Sequence, residues 1–444
     1  MAYRLSVANR PRAVNADRPA TAGFLSTATF VLRAARKILL CTFACVSWQS
    51  GWADNGGAGP SMFSFDGFGT AGVAHSSEHQ ADFTSSEFKP NGAGFSHNWS
   101  VDVDSRIGAQ LSAAFSPQLS AVVQVIAEQG YDNTYKPTVE WVNIEYQVTP
   151  AFGIRLGRIE LPTFMFSDVR KIGYANPWVR PPEEVYGVAP VTNNDGVDLS
   201  YRMHFGAIRN TLRAAYGPEY KLDFPSAGVT TRNLWGVFET AEYAAALLHI
   251  SYLETKATQA PDFPLFAVFR QFGPPGIEIA DSYDLDRRAV SIVTVGASYD
   301  PGGWFAMSEW TRISSHSYLG VNSAWYVSAG YRVNRFTPYM TVSQISSPTI
   351  PAAGLIAVNY PPQLGSTIAA LNAGLVETLH GTYHVQRTVS VGGRWDVAKH
   401  IDLKMQYDYT RIGADSSGTL VNAQSDFQPG GTVNIVSATI DFVF

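Results

Sequence analysis

The chain has 444 residues and a formal net charge of −5, with 16% charged and 13% aromatic residues. This charged fraction is below the roughly 25% of an average soluble domain. The sequence contains no Lys/Arg cluster of the kind that would indicate a nucleic-acid partner. The longest nearly apolar run, residues 38–48, is too short for a transmembrane helix, which needs about 20 residues.

Residues 1–53 have the features of a secretory signal peptide. Basic residues precede the apolar run, and small residues flank Trp52 just after it. We therefore predict cleavage after Ala53 and a mature chain of residues 54–444; the alternative is a short buried helix. Both cysteines, Cys41 and Cys45, lie in this segment, so the mature chain would have no disulfide and no cysteine metal ligand.

An alternation of apolar and polar residues recurs along nearly all of the chain from residue 63 onward. Near the C-terminus, for example, Leu403 and Met405 alternate with Lys404 and Gln406. A period of two indicates β-strands with one apolar and one polar face. We predict sixteen strands: 63–76, 101–115, 119–129, 138–148, 153–160, 197–205, 211–217, 233–241, 244–256, 289–300, 304–314, 324–333, 336–346, 380–397, 401–412 and 432–444.

The connections between these strands alternate in length. Short links fall at 116–118, 149–152, 206–210, 242–243, 301–303, 334–335 and 398–400. Long links fall at 77–100, 130–137, 161–196, 218–232, 257–288, 315–323, 347–379 and 413–431. Short turns at one end, longer loops at the other and an even strand number are typical of an outer-membrane β-barrel, in which closure leaves no unpaired backbone in lipid.

The last strand places Phe442 and Phe444 on its apolar face and ends on Phe444. With the strand and loop pattern over about 54–444, the chain resembles the outer-membrane barrels of Gram-negative bacteria, and specifically the 16-stranded trimeric diffusion porins. The resemblance implies an all-β transmembrane antiparallel barrel with periplasmic termini and turns, and Phe442 and Phe444 in the signal read by the barrel-assembly machinery. It also implies a homotrimer among lipid and lipopolysaccharide that passes small hydrophilic solutes.

The third long link, 161–196, has five prolines and several large apolar residues, unlike a mobile surface loop. In the porins that the chain resembles, the third loop folds into the barrel and narrows the pore. We therefore predict a pore constriction in which acids of this loop, including Asp168, Glu183 and Glu184, face wall bases such as Arg106 and Arg202. The complete predicted set is Asp168, Arg170, Lys171, Arg180, Glu183 and Glu184 on the loop, and Arg106, Arg155, Arg202, Arg213, Arg394 and Lys404 on the wall.

Catalytic motifs are weak. His75–His79 matches the H-x-x-E-H zinc pattern, but that pattern needs a helix and here it straddles a strand end and a Ser-rich loop. No spacing of Ser, His and Asn singles out a triad. We expect no enzyme activity, no metal and no cofactor. The alternatives are a substrate-selective channel of 16 or 18 strands for an anion or a sugar, and an outer-membrane barrel enzyme or adhesin.

Overall fold

The protein folds as a closed antiparallel barrel of 16 strands. The computed structural model describes residues 62–189, 191–222, 228–259 and 264–444, so the predicted signal peptide lies outside the described residues. The strands are β1 Phe63–Ser76, β2 Arg106–Ala114, β3 Leu119–Glu128, β4 Thr138–Gln147, β5 Phe152–Glu160, β6 Asn193–Phe205, β7 Ile208–Leu222, β8 Val229–Tyr243, β9 Ala246–Gln259, β10 Arg288–Tyr299, β11 Trp304–Ser315, β12 Val321–Tyr331, β13 Phe336–Ser346, β14 Val385–Ala398, β15 Ile401–Ile412 and β16 Gly431–Val443.

The barrel closes between its first and last strands. β1 and β16 pair antiparallel from Phe68 opposite Val443 to Ser76 opposite Ile435. Beyond this ladder, the Gly67 and Phe444 amides each donate to the other residue's carbonyl oxygen at 2.9 Å. The Phe444 ring lies over Gly67, in the position that a Cβ would occupy. A glycine is therefore needed there to avoid a clash with the terminal aromatic ring.

The two faces of each strand follow the predicted alternation, with the polar face inside. On β15, Met405 and Tyr407 are exposed, whereas Lys404, Gln406 and Asp408 are buried. Apolar residues facing outward and polar residues facing inward are the reverse of a soluble sandwich and the expected arrangement for a barrel in lipid. Exposed aromatic residues near the strand ends include Tyr201, Tyr331 and Trp395, at the height where interfacial girdles form.

Predicted strand starts differ from the structure by three or more residues at β2, β6, β7, β8, β12 and β14. The second strand begins at Arg106 rather than Val101, because residues 101–105 turn away from the sheet and bury Asp104. The fourteenth begins at Val385 rather than His380, because a helix occupies Gly365–Gly381. The third loop is also shorter than predicted, since residues 193–196 belong to β6.

The helices lie in the long loops: α1 Glu183–Tyr186 in the third, α2 Leu265–Phe269 and α3 Gly273–Tyr283 in the fifth, and α4 Gly365–Gly381 in the seventh. Residues of α2, α3 and α4 share one apolar cluster, in which Phe269 and Leu375 are fully buried. The fifth and seventh loops therefore form one packed body at the long-loop end. No helix in the described part of the chain has the length and apolarity to cross a membrane.

Candidate functional site: the third loop inside the barrel

The third loop lies in the lumen and contacts the wall on several sides. Its residues Leu161, Phe164, Trp178, Val185 and Tyr186 are buried with wall residues of β8, β9, β11, β12 and β13. An irregular segment is tolerated at this depth because it is enclosed by protein rather than lipid. Leu161–Thr192 is called the constriction loop below.

Trp178 fastens the loop to β12 and β13. It is 1% exposed, and its indole Nε1 donates to Ser328 Oγ at 2.9 Å and to Thr341 Oγ1 at 3.1 Å. The ring packs edge-on against Tyr326, with the ring centroids 5.7 Å apart. A buried tryptophan needs an acceptor for its N–H, and these two hydroxyls fix where the indole lies.

The loop tip is held by two of the predicted wall bases. Lys404 Nζ donates to the Gly173 carbonyl oxygen at 2.6 Å and lies 3.1 Å from an Asp441 carboxylate oxygen. Arg394 donates to the carbonyl oxygen of Tyr174 at 2.6 Å and stacks on that ring. These bases therefore hold the loop backbone instead of facing its acids.

Arg180 crosses from the loop to the wall at a buried charge cluster. Its guanidinium donates from Nε to Asp104 Oδ1 at 2.8 Å and from Nη2 to Asp104 Oδ2 at 2.6 Å. Nη2 also donates to Ser437 Oγ at 2.7 Å, and Asp408 lies 3.5 Å from Nη1. The side chains of Arg180 and Asp104 are 5% and 1% exposed. A forked, fully buried arginine–carboxylate pair is both strong and geometrically specific.

The two glutamates of α1 do not face Arg106 or Arg202, so that predicted pairing is wrong. Glu184 accepts hydrogen bonds from Ser343 Oγ at 2.7 Å, from Gln386 Nε2 at 2.8 Å and from Thr388 Oγ1. Glu183 is 7% exposed and leaves its Oε1 without a partner in the described residues. Burial and the neighbouring Glu184 charge raise the pKa of Glu183 well above its usual value.

Lys171 joins the loop to β3 and β4. Its Nζ lies 3.0 Å from Glu128 Oε1 and 2.8 Å from Glu140 Oε2. Glu128 is also the carboxylate nearest to Arg106, at 3.9 Å. Arg106 therefore pairs with an acid of the wall, and Lys171 is neutralised by two of them.

Arg170 and Asp168 have fewer charged partners than the other charged residues of the constriction loop. Arg170 donates to the Tyr186 carbonyl oxygen at 2.8 Å, and its guanidinium lies 5.8 Å from the centre of the Tyr186 ring. Neither Arg170 nor Asp168 forms a salt bridge within the described residues. Asp168 is exposed to the lumen, but the enclosing wall reduces its solvation and, with the Glu160 charge, raises its pKa.

The remaining predicted wall bases form no ion pair with acids of the constriction loop in the described residues. Arg155 and Arg213 both bind Asp198, at 2.9 and 3.1 Å, and Arg213 also reaches Glu160 at 3.2 Å. Arg202 is exposed beside the short turn after β4 and forms no ion pair with the constriction loop in the described structure.

The acids outside the constriction loop that hold it were missed as individual site residues. Asp104, Glu128, Glu140, Asp408 and Asp441 all face inward and contact a base of the loop or its anchor. Strand parity indicates an inward direction for Glu128, Asp408 and Asp441, whereas Asp104 precedes β2 and Glu140 is the unpaired residue of a β-bulge. Only the tertiary structure shows which base each acid meets.

The H-x-x-E-H segment has a structural environment that differs from a zinc site. His75 stacks on Trp99 with ring centroids 4.7 Å apart, and its Nδ1 lies 2.6 Å from the Asn98 carbonyl oxygen. Across the described ranges, no group of three or more His, Cys, Asp or Glu residues is arranged to hold a metal ion.

Comparison with solved structures identifies the fold as that of 16-stranded porins. OmpF of Salmonella typhi in complex with daunomycin gives a TM-score of 0.53 at 12% identity, covering 86% of this chain and 97% of the other. The anion-selective porin of Comamonas acidovorans gives 0.51 at 12% identity, covering 86% and 99%. The outer-membrane channel DcaP of Acinetobacter baumannii gives 0.50 at 11% identity, covering 86% and 97%.

Comparison of the sequence with family models and curated proteins finds no match. No protein-family model matches the chain, and no curated protein matches it significantly. At 11–12% identity the structural likeness establishes the fold alone.

Proposed function

We propose that this protein is an outer-membrane porin that allows passive diffusion of small hydrophilic solutes and ions. The observation that carries the proposal is the constriction loop, which lies inside a closed barrel with a polar inner wall and is tied to that wall by Trp178, Arg180 and Lys404. A loop held in this way narrows the lumen and leaves the hydrogen-bond ladder of the barrel intact. Charged groups at such a narrowing select among solutes.

We also propose a cellular setting for the protein. The barrel spans the outer membrane of a Gram-negative bacterium, with short turns and both termini in the periplasm. The mature chain begins after Ala53 and assembles as a homotrimer among lipid and lipopolysaccharide, after insertion by the barrel-assembly machinery. The exposed apolar band and the similarity to porin folds support this setting. The protein needs no cofactor and catalyses no reaction.

Planar-bilayer recording of the purified protein tests the channel. We expect stepwise conductance increases after insertion, and influx of neutral solutes into proteoliposomes measured by swelling. A detergent-only sample is the control. Folded barrel that inserts without current steps and without solute influx would overturn the proposal, and hydrolysis of phospholipid by that same sample would favour the enzyme alternative.

A further inference from the structure

A cavity of about 390 Å³ opens on the inner wall of β1–β5, toward the short-turn end from the constriction loop. Its lining is mainly hydroxyl, amide and charged side chains, including Ser64, Gln110, Asn143 and Glu145. The aromatic side chain in this lining is Trp141. The volume lies in the range of small-molecule pockets, and a few fixed polar groups beside an apolar surface are what such pockets use to orient a ligand.

A β-bulge turns Trp141 toward this cavity. Gln124 of β3 pairs with Trp141, and the next residue, Val125, pairs with Val139, so Glu140 is the extra residue. Bulges re-aim side chains in this way. Glu140 binds Lys171 of the constriction loop. The neighbouring Trp141 lines the cavity instead. The indole makes no hydrogen bond or ring stack within the described structure and is half-buried.

The polar groups beside Trp141 are ordered by the strand register. Gln110 lies opposite Gln124, and Gln124 lies opposite Trp141. Gln124 Nε2 donates to Gln110 Oε1 at 2.9 Å, and Gln110 Nε2 donates to Ser112 Oγ at 3.2 Å. This chain of bonds fixes the orientation of both amides, so the groups that remain free point in defined directions.

Two charged side chains add unused hydrogen-bonding capacity. Glu145 lies opposite Arg155 and is half-buried, with no hydrogen bond in the described part of the chain. Arg155 donates to Asp198 from Nε at 3.0 Å and from Nη2 at 2.9 Å, which leaves its Nη1 uncommitted. Because Asp198 already neutralises Arg155, the cavity carries no excess positive charge to hold an anion.

We propose that this cavity is a subsite for a neutral saccharide, of one or two rings, that the channel conducts. An indole face offers a flat apolar surface to the C–H face of a sugar ring. Around it, the free carboxylate oxygens of Glu145 accept hydrogen bonds from sugar hydroxyls, and Arg155 Nη1 donates one. The inference rests on the proposed channel function for its role in transport, but binding itself can be measured without current.

Calorimetric titration of the folded protein in detergent with maltose and with glucose tests the subsite. We expect measurable binding of at least one sugar by the wild type, and about tenfold weaker binding by W141A, which corresponds to losing about 1.4 kcal/mol. W395A is the matched control, because Trp395 is 52% exposed on the outer face of β14 and should leave binding unchanged. W141F should bind with intermediate strength, because it keeps a ring.

Three results would overturn the subsite: no binding of either sugar by the wild type, equal binding by W141A and wild type, or binding of gluconate in preference to glucose. Bilayer recording tests the channel function separately. Conducting channels whose current is interrupted by neither maltose nor glucose would remove the subsite and leave the porin, whereas sugar binding without conductance would remove the porin and leave the binding site.

Discussion

Arg180→Met tests whether the buried ion pair holds the constriction loop in the lumen. The substitution keeps most of the side-chain volume but removes the charge that faces Asp104 and Asp408. Removing one partner of a buried pair costs about 3–5 kcal/mol, because the remaining charge is left uncompensated. At about 1.4 kcal/mol for each tenfold change, the docking equilibrium of the loop should shift by about a hundredfold to several thousandfold.

The readouts for Arg180→Met are single-channel current and unfolding. The barrel ladder does not use this side chain, so we expect folded barrel that unfolds at lower urea concentration and shows larger, noisier current steps. Arg209→Met is the matched control. Its ion pair with Glu242 is solvent-exposed, at 68% and 41%, and such pairs contribute about 0–1 kcal/mol. Adding Asp104→Asn to Arg180→Met should restore part of the stability, because it removes a stranded charge. Wild-type current and an unchanged unfolding midpoint in Arg180→Met would refute the reasoning.

Three further predictions concern other charged or terminal groups. Asp168→Asn should shift the zero-current potential in a salt gradient toward anion selectivity, whereas Glu183→Gln should shift it less, because the Glu183 side chain is buried and burial raises its pKa; equal shifts would contradict this. Although burial lowers the pKa of His384, the Glu87 carboxylate at 3.0 Å raises it overall. Its stabilising contribution is therefore complete below the unfolded-state pKa of about 6.5 and is lost as the pH rises through the folded-state pKa. His384→Gln should reduce the pH dependence of the urea midpoint between pH 5 and 9, and an unaltered dependence would exclude the pair as its source. Phe444→Ala should lower the amount of heat-modifiable folded barrel in the outer membrane while secretion continues, and normal amounts would refute that role.

The strands were predictable because the environment of each strand determines the residue types within that strand. A side chain that faces lipid must be apolar, and its neighbour that faces the lumen can be polar, so the period of two marks each strand and its faces. The bounds predicted for β1, β13 and β15 agree with the structure. The helix α4 also has a local signal that the strand analysis missed: Ile368, Leu371, Leu375 and Leu379 recur at helical spacing and are all buried on one face.

The sequence by itself indicated that the third loop is a packed segment, because its prolines and large apolar residues suit an enclosed environment, and the resemblance to porins added the inward direction. Only the tertiary structure decided what each charge of that loop meets. Arg180 and Asp408 are 228 residues apart, and no local pattern relates them. In a closed barrel, strand order and register bring together groups from every wall, so a charge is neutralised by whichever opposite charge lies at the same height. That geometry pairs Arg106 with Glu128, buries Glu183 and leaves Asp168 facing the lumen.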